Sequence, residues 1–322
     1  MPPRGRIYIS ASTSLGVRRT PAAAILVAIV CVSFASIFIR WSGSPAFTIA
    51  LYRMAFATLF LAPFLATAKG AGLRTLTGRD YLLLAGVGLA LAIHFGAWIL
   101  SLKLVDVATS VVLVTSHPLF VATMSHVVFR ERVTRTTAFG IGLGLSGVVA
   151  IAVAQSGRGA DPLLGSLLAF LGGLAAGVYL LAGRKFRQRL DLVPYAITVY
   201  AFTALFVVAF SVATATPIPV QGDVPREIAL FALMAAVSQI GGHTLYNWSL
   251  RHVSATVVST SLLGEPIGAS LLAFFFLREV PGCPPGALGP CPSTTLVLVG
   301  GAVALAGIYI TGREAFRGSG AG

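Results

Sequence analysis

Apolar residues in this chain fall in blocks of about 20, separated by short polar breaks, and a block of that length crosses a hydrocarbon core as a helix. Read this way, the pattern predicts spans at 21–40, 46–67, 80–102, 106–129, 134–155, 163–182, 193–215, 226–250, 254–277 and 293–311, each end good to roughly two to four residues. The breaks carry Pro, Gly and basic residues, as turns between antiparallel helices do. The expected fold class is an all-α integral membrane protein of ten transmembrane helices. The polar, Gly- and Ser-containing ends, 1–20 and 313–322, are expected to be disordered tails.

Composition agrees with the pattern. The 322 residues are 56% hydrophobic and 10% charged, too few charges to coat a water-facing globule of this size. The net charge of +13 would suggest nucleic acid, but its placement argues otherwise. With a cytoplasmic N-terminus, 17 of the 23 Lys and Arg fall on the cytoplasmic side and five outside, with Arg53 inside a span. That asymmetry orients membrane proteins. No basic domain stands apart from the spans, so no nucleic-acid partner is expected. The first apolar stretch is long for a signal peptide and nine spans follow, so it reads as an uncleaved span.

The halves repeat each other at an offset of 148. Tyr52 aligns with Tyr200, Ser101-Leu102 with Ser249-Leu250, Pro118 with Pro266, and Arg130-Glu131 with Arg278-Glu279. After a 12-residue insertion, Gly140 meets Gly300 and Gly147 meets Gly307. Each repeat, 21–155 and 163–312, holds five spans. An odd number starts the second copy from the opposite side, so the repeats are inverted. Inverted repeats place a binding site near the bilayer midplane.

These residues also resemble a known family. The run Ala92–Leu102, then Val107–Pro118, then Phe129-Arg130-Glu131, is similar to the EamA-type repeat of the drug/metabolite transporter superfamily. Asn247-Trp248-Ser249-Leu250, Gly264-Glu265-Pro266 and Leu277-Arg278-Glu279 resemble its partner. The resemblance covers about 21–312. It implies a ten-helix carrier with a central cavity, often an exporter of amino acids or other small metabolites. The segment between spans 9 and 10, with Cys283 and Cys291, departs from the pattern. It falls on the expected outer side, where a disulfide between the two is plausible; two thiols without a nearby His make an incomplete metal site. Cys31 reads as a small apolar packer.

Ionisable groups inside a membrane are costly and mark candidate sites. Glu265 falls mid-span and is followed by Pro266; its repeat mate is His117, followed by Pro118. A helix-interior proline removes one hydrogen bond, so both spans should kink and free carbonyls beside a carboxylate and an imidazole. Such a set could bind a proton, a cation or a substrate ammonium; the alternative is a protonated Glu265 bonded to a neighbouring span. Ser254 and Ser261 share its helix face. Gly264 and Gly268 have the spacing of a close helix contact.

A second symmetric set lies in spans 3 and 8. His94, Trp98 and Ser101 share one face, as do Gln239, His243, Tyr246 and Asn247. Such stripes suit the wall of a cavity for an amphipathic solute, or bonds between helices. Arg53 has three open uses: to hold a substrate carboxylate through its fork, to snorkel outward, or to clamp backbone carbonyls. Trp41, Tyr179 and Tyr195, near span ends, read as interfacial belt residues. Arg130-Glu131 and Arg278-Glu279 read as local caps or ion pairs.

The sequence carries no P-loop and calls for no cofactor, so a secondary carrier of a small molecule, seated in the lipid bilayer with both termini cytoplasmic, is the leading expectation. A membrane-embedded enzyme acting on lipid-linked substrates is the alternative. It would need clustered carboxylates, a His/Glu zinc motif or a nucleophile with its base. A bilayer scaffold would need no buried Glu.

Overall fold

The computed structural model describes residues 11–105, 107–130, 133–154, 160–280, 283 and 291–318. Among them the helices are α1 Ala11–Trp41, α2 Ala46–Leu61, α3 Gly78–Leu104, α4 Val107–Val114, α5 Pro118–Phe129, α6 Arg135–Ala154, α7 Pro162–Arg187, α8 Leu192–Ala213, α9 Val224–Leu233, α10 Leu245–Ser249, α11 Ala255–Ser261, α12 Glu265–Leu277 and α13 Pro292–Gly318. Helix starts are chemically marked. The Thr77 side chain accepts from the Asp80 N–H while Asp80 accepts from the Thr77 N–H, a capping box opening α3. Asp161 and Asp223 cap α7 and α9, each with a proline in the first turn. Expected tails give way to helix at both ends: α1 begins at Ala11 and α13 runs to Gly318. Extending a formed helix by a residue is far cheaper than starting one. Residues 1–10 and 319–322 lie outside the described ones.

Eight helical segments among the described residues are long and apolar enough to cross a membrane. The α4–α5 pair and α6 complete ten. Three spans depart from α-helix in their interior, and span 2 ends in a 3-10 stretch at Ala62–Ala66. Span 4 breaks at Thr115–His117 between α4 and α5, and span 9 tightens to a 3-10 turn at Leu262–Gly264 between α11 and α12. In span 8 a π-helical stretch, Met234–Thr244, joins α9 to α10. Large apolar side chains such as Leu82, Val127, Leu163 and Phe275 face outward, where lipid rather than water suits them.

The packing shows the repeats to be inverted. Span 4 meets its mate, span 9, head to tail: α4 contacts α12, and α5 contacts α11. Spans 5 and 10 also run antiparallel, with Gly140 against Thr311 and Gly147 against Ala304. In spans 2 and 7, Phe47 at the start of α2 meets Phe210 near the end of α8. In these three of the five mate pairs, each span lies alongside its partner in the opposite direction.

Connections segregate to two ends. At one end Glu227, buried at the start of α9, accepts from Ser42 Oγ, from Gly43 N–H at 2.9 Å and from Ser44 Oγ at 2.8 Å. Lys103 donates to the Ser42 carbonyl at 2.8 Å, and Arg40 to that of Val105 at 3.1 Å. At 4.0 Å Arg40 also meets Glu279, and the disulfide between Cys283 and Cys291 belongs to this end. At the other end Arg189 pairs with Asp80, and Arg251 with Asp191 at 2.8 Å. Arg187, wholly buried, donates to the carbonyls of Asn247 and Leu190. Burial, with Arg251 and Arg187 nearby, holds His252 there below the ordinary imidazole range.

Candidate functional site

Both half-helix breaks face one chamber between the repeats. It is lined by His94 and Trp98 of α3, Thr115 and His117 of the span 4 break, Tyr179 of α7, His243 and Tyr246 of span 8, and Glu265 of span 9, with Val114, Ala176, Leu180 and Leu262 as apolar wall. About 430 Å³ there is free of protein atoms, the open side included, at the small end of the range of small-molecule sites.

The breaks place the chemistry. Glu265 opens α12 and His117 caps α5, each followed by the proline that cannot continue the preceding turn. Glu265 sits near the middle of the span Ala255–Leu277, 6% exposed, and its carboxyl has no hydrogen-bond or ion-pair partner among the described residues. Its position in the first turn of α12 brings the positive end of that helix to the carboxylate. His117 Nδ1 is buried and likewise unpartnered. Arg53 is the cation whose charge acts on Glu265 through space.

The freed carbonyls are fewer than the prolines implied. The Leu262 carbonyl, left without its usual donor by Pro266, accepts from the Glu265 N–H in the 3-10 turn. The Val114 carbonyl, which Pro118 leaves free, faces Gly173 of α7, where a Cβ would stand 2.6 Å from it. Only glycine lets α7 approach so closely. The polar side chains, rather than open backbone, carry the site.

The aromatic wall is continuous. His94 and Trp98 stack with ring centres 5.9 Å apart, His94 and His243 lie at 6.0 Å, and Tyr179 and His243 at 6.2 Å. His94 Nδ1 is fixed on the Gly172 carbonyl at 2.9 Å. Among the described residues the Trp98 Nε1 and Tyr246 hydroxyl are buried without hydrogen-bond partners. These groups suit a body that is partly aromatic or apolar and partly polar.

Six residues singled out from sequence, His94, Trp98, His117, His243, Tyr246 and Glu265, share the chamber. Three stand behind it. Asn247 donates to the Tyr179 hydroxyl, Gln239 accepts from Arg53 Nε at 3.0 Å, and Arg53 lies over the Phe95 ring, 4.3 Å from its centre. Arg53 is 0% exposed, so it does not snorkel, and its Nη1 and Nη2 meet no backbone carbonyl among the described residues. Pro118 and Pro266 mark the breaks. Ser254 and Ser261 do not join Glu265: the first caps α11, and the second donates to the Val257 carbonyl. Ser101 turns back to the Trp98 carbonyl and Ser110.

The reading of Tyr179 and Tyr195 as belt residues is corrected. Both are buried, at 1% and 0% exposure, because α7 extends to Arg187 and puts Tyr179 well inside its span. The signal available was the glycine run Gly172-Gly173 and Gly177 one face away, which draws α7 against spans 3 and 4. Thr115 was also missed; nothing in its spacing set it apart from the other threonines.

Comparison with known proteins places this arrangement. The family model of the EamA-like transporter family matches residues 20–153 and 163–284, one match for each repeat. Two proteins of Archaeoglobus fulgidus, each described as an uncharacterized transporter, are 24% identical to this chain. One matches over 82% of this chain and 87% of its own length, the other over 91% and 96%. A Clostridium kluyveri protein of the same description is 24% identical over 63% of this chain and 67% of its own. One solved crystal structure shares the fold at a TM-score of 0.70 and 18% identity, covering 93% of this chain and 98% of that one. With ten spans in inverted halves and both halves matched, this chain is a multi-pass membrane transporter and belongs to the EamA-like transporter family.

Proposed function

We propose that this protein is a secondary transporter that moves a small amphipathic metabolite, an amino acid or a similar solute, across the cytoplasmic membrane by alternating access, in the direction of export, with Glu265 as the coupling residue. One observation carries the reading: a mid-span carboxyl without a partner faces the same chamber as the polar and aromatic groups that would hold a solute. A carboxylate in so dry a place is costly unless a proton or a cationic group neutralises it. Glu265 therefore exchanges its proton when the chamber opens to water, and cargo and proton compete for it. Export rests on the family resemblance alone. The halves 21–155 and 163–312 are the bodies that move, and the bilayer is their setting.

Both termini face the cytoplasm in this proposal. The cation-rich loops share one end and the Cys283–Cys291 disulfide lies at the other, which suits an oxidising exterior.

The test is a counterflow screen of metabolites in proteoliposomes across a pH series, with Glu265→Gln alongside. Exchange that varies with pH in the wild type and becomes flat in the variant is the expected result. Wild-type exchange that ignores pH, with Glu265→Gln indistinguishable from it, removes coupling and leaves a uniporter. If no solute exchanges, the carrier reading itself fails.

A further inference from the structure

Among the described residues two arginines are wholly buried, and their surroundings differ. Arg187 is satisfied: Nε donates to the Asn247 carbonyl at 3.1 Å and Nη1 to the Leu190 carbonyl. That is how an arginine is held for structural reasons. Arg53 has only its Nε engaged, on Gln239 Oε1 at 3.0 Å, while Nη1 and Nη2 have no hydrogen-bond partner among the described residues. A guanidinium keeps its charge, so burial with two amino groups unmet is expensive. The cation–π contact with Phe95 compensates only in part.

Phe95 also connects Arg53 to the chamber. Arg53 covers its face, and His243, a chamber residue, meets the same ring edge-on at 5.3 Å. His243 is only partly buried and has no hydrogen-bond partner among the described residues. It lies on the π-helical stretch that also carries Gln239, a backbone form that clusters at functional sites. Among the described residues, ring contacts with His94, Phe95 and Tyr179, and no hydrogen bond, hold the His243 side chain. The Arg53 charge acts through space on Tyr200, Glu265 and Tyr179, and the last two line the chamber.

We infer that Arg53 is a carboxylate-binding subsite, its fork presented to the chamber when His243 turns aside, so that the transported solute is one that carries a carboxylate group. Two parallel N–H bonds from Nη1 and Nη2 match the two oxygens of a carboxylate. Gln239 fixes the guanidinium plane from behind. A carboxylate on Arg53 leaves the chamber neutral when Glu265 carries either a proton or the solute's own ammonium; a dianion would leave excess charge in lipid. The aromatic wall of Trp98, Tyr179 and Tyr246 receives the rest of the molecule. The inference rests on the chamber being the transport site.

The experiment compares 3-phenylpropionate, L-phenylalanine and phenethylamine, which carry a carboxylate, both groups and an amine, with propionate as a smaller carboxylate. Binding is read by calorimetry and thermal shift on the purified full chain in detergent. Wild type should bind the carboxylate-bearing probes and not phenethylamine. Arg53→Gln should weaken that binding at least tenfold. Because that variant could fail to fold, Gln239→Glu is the second arm: it keeps Arg53 but sets an internal carboxylate on its Nε, and it should weaken the carboxylate probes at least tenfold in a folded protein. Phenethylamine binding as tightly as phenylpropionate, unchanged affinities in Gln239→Glu, or no carboxylate binding at all would each overturn the assignment. Phenethylamine carried in a pH-dependent way would remove the subsite and leave the transporter standing. Phenylpropionate bound through Arg53, with transport indifferent to Glu265→Gln, would do the reverse to the coupling role.

Discussion

Arg130 and Arg278, 148 positions apart, end their half-helices in the same left-handed conformation, at φ 55°, ψ 26° and φ 58°, ψ 27°. Their N–H groups bond to the carbonyls of Ser125 and Ala273, which are repeat mates in turn. The repeat is thus kept at the level of single dihedrals. It follows that the arginine at each position ends its helix through its backbone; Glu131 lies outside the described residues.

That geometry makes a prediction with a sign. A left-handed residue with a Cβ costs about 1–2 kcal/mol, more when β-branched, and glycine removes the cost. Arg278→Gly should hold or raise thermal stability in detergent, and Arg278→Val should lower it. The same pair at Arg130 should do the same by a similar amount. Equal losses for Gly and Val would mean that the arginine side chains, and not the backbone, secure these ends.

The antiparallel contact of α6 and α13 depends on glycine. A methyl on Gly147 would overlap the Gly300 carbonyl, and one on Gly307 would overlap the Gly140 carbonyl. Gly142, one turn away, has nothing within 4 Å of such a methyl. Gly147→Ala or Gly307→Ala should therefore cost about 1–3 kcal/mol by overpacking, and Gly142→Ala should be neutral or slightly favourable. Thermal unfolding of the three variants, side by side, separates a packing seam from a general intolerance of Ala in these helices.

Much of this was legible in the sequence, for identifiable reasons. Apolar block length finds spans because lipid leaves the backbone no other partner than its own helix. The repeat appeared through residues that have no substitute, Pro118 with Pro266 and Gly147 with Gly307. Titratable groups inside spans stand out because they are rare there, and Glu265 and His117 both line the chamber. The sequence could not show Tyr179, whose depth depends on where α7 ends, nor which partners Arg53 lacks. Hydroxyls were overread: Ser254 and Ser261 share the Glu265 face by spacing, yet each satisfies nearby backbone first, as short hydroxyl side chains tend to.

Behind the chamber, Asn247 donates to the Tyr179 hydroxyl while its own Oδ1 is buried without a partner. Tyr179→Phe would strand the Asn247 amide entirely. The expected loss is about 1–3 kcal/mol. Asn247→Leu alone removes the unmet Oδ1 together with the donor, takes one bond from the Tyr179 hydroxyl, and should cost less. Made together, the changes should cost less than their sum, since the second removes what the first left unpaired. Additive losses in a double-mutant cycle would show that the two side chains do not act as a pair.

The two ends of the molecule are held by different groups, and this gives the most direct test of alternating access. One end is held by Glu227, whose carboxylate gathers Ser42, Gly43 and Ser44 of the α1–α2 connection. The other is held by Arg187, which ties the α7–α8 connection to the end of span 8 through the Leu190 and Asn247 carbonyls. Hydrogen bonds to a buried charge contribute about 1.5–3 kcal/mol, so weakening either set should shift an inward–outward equilibrium about tenfold or more. Thr115→Cys, in a Cys31→Ser background, puts a reporter thiol on the chamber wall. A membrane-impermeant maleimide is then added from one face of oriented vesicles at a time. Glu227→Gln should speed labelling from the disulfide-bearing face and slow it from the other, and Arg187→Gln should do the opposite. The opposed response is the informative part, because two states sharing one equilibrium must trade accessibility. If both variants speed labelling from both faces, the ends are structural seals that loosen independently, and the halves do not rock about the chamber.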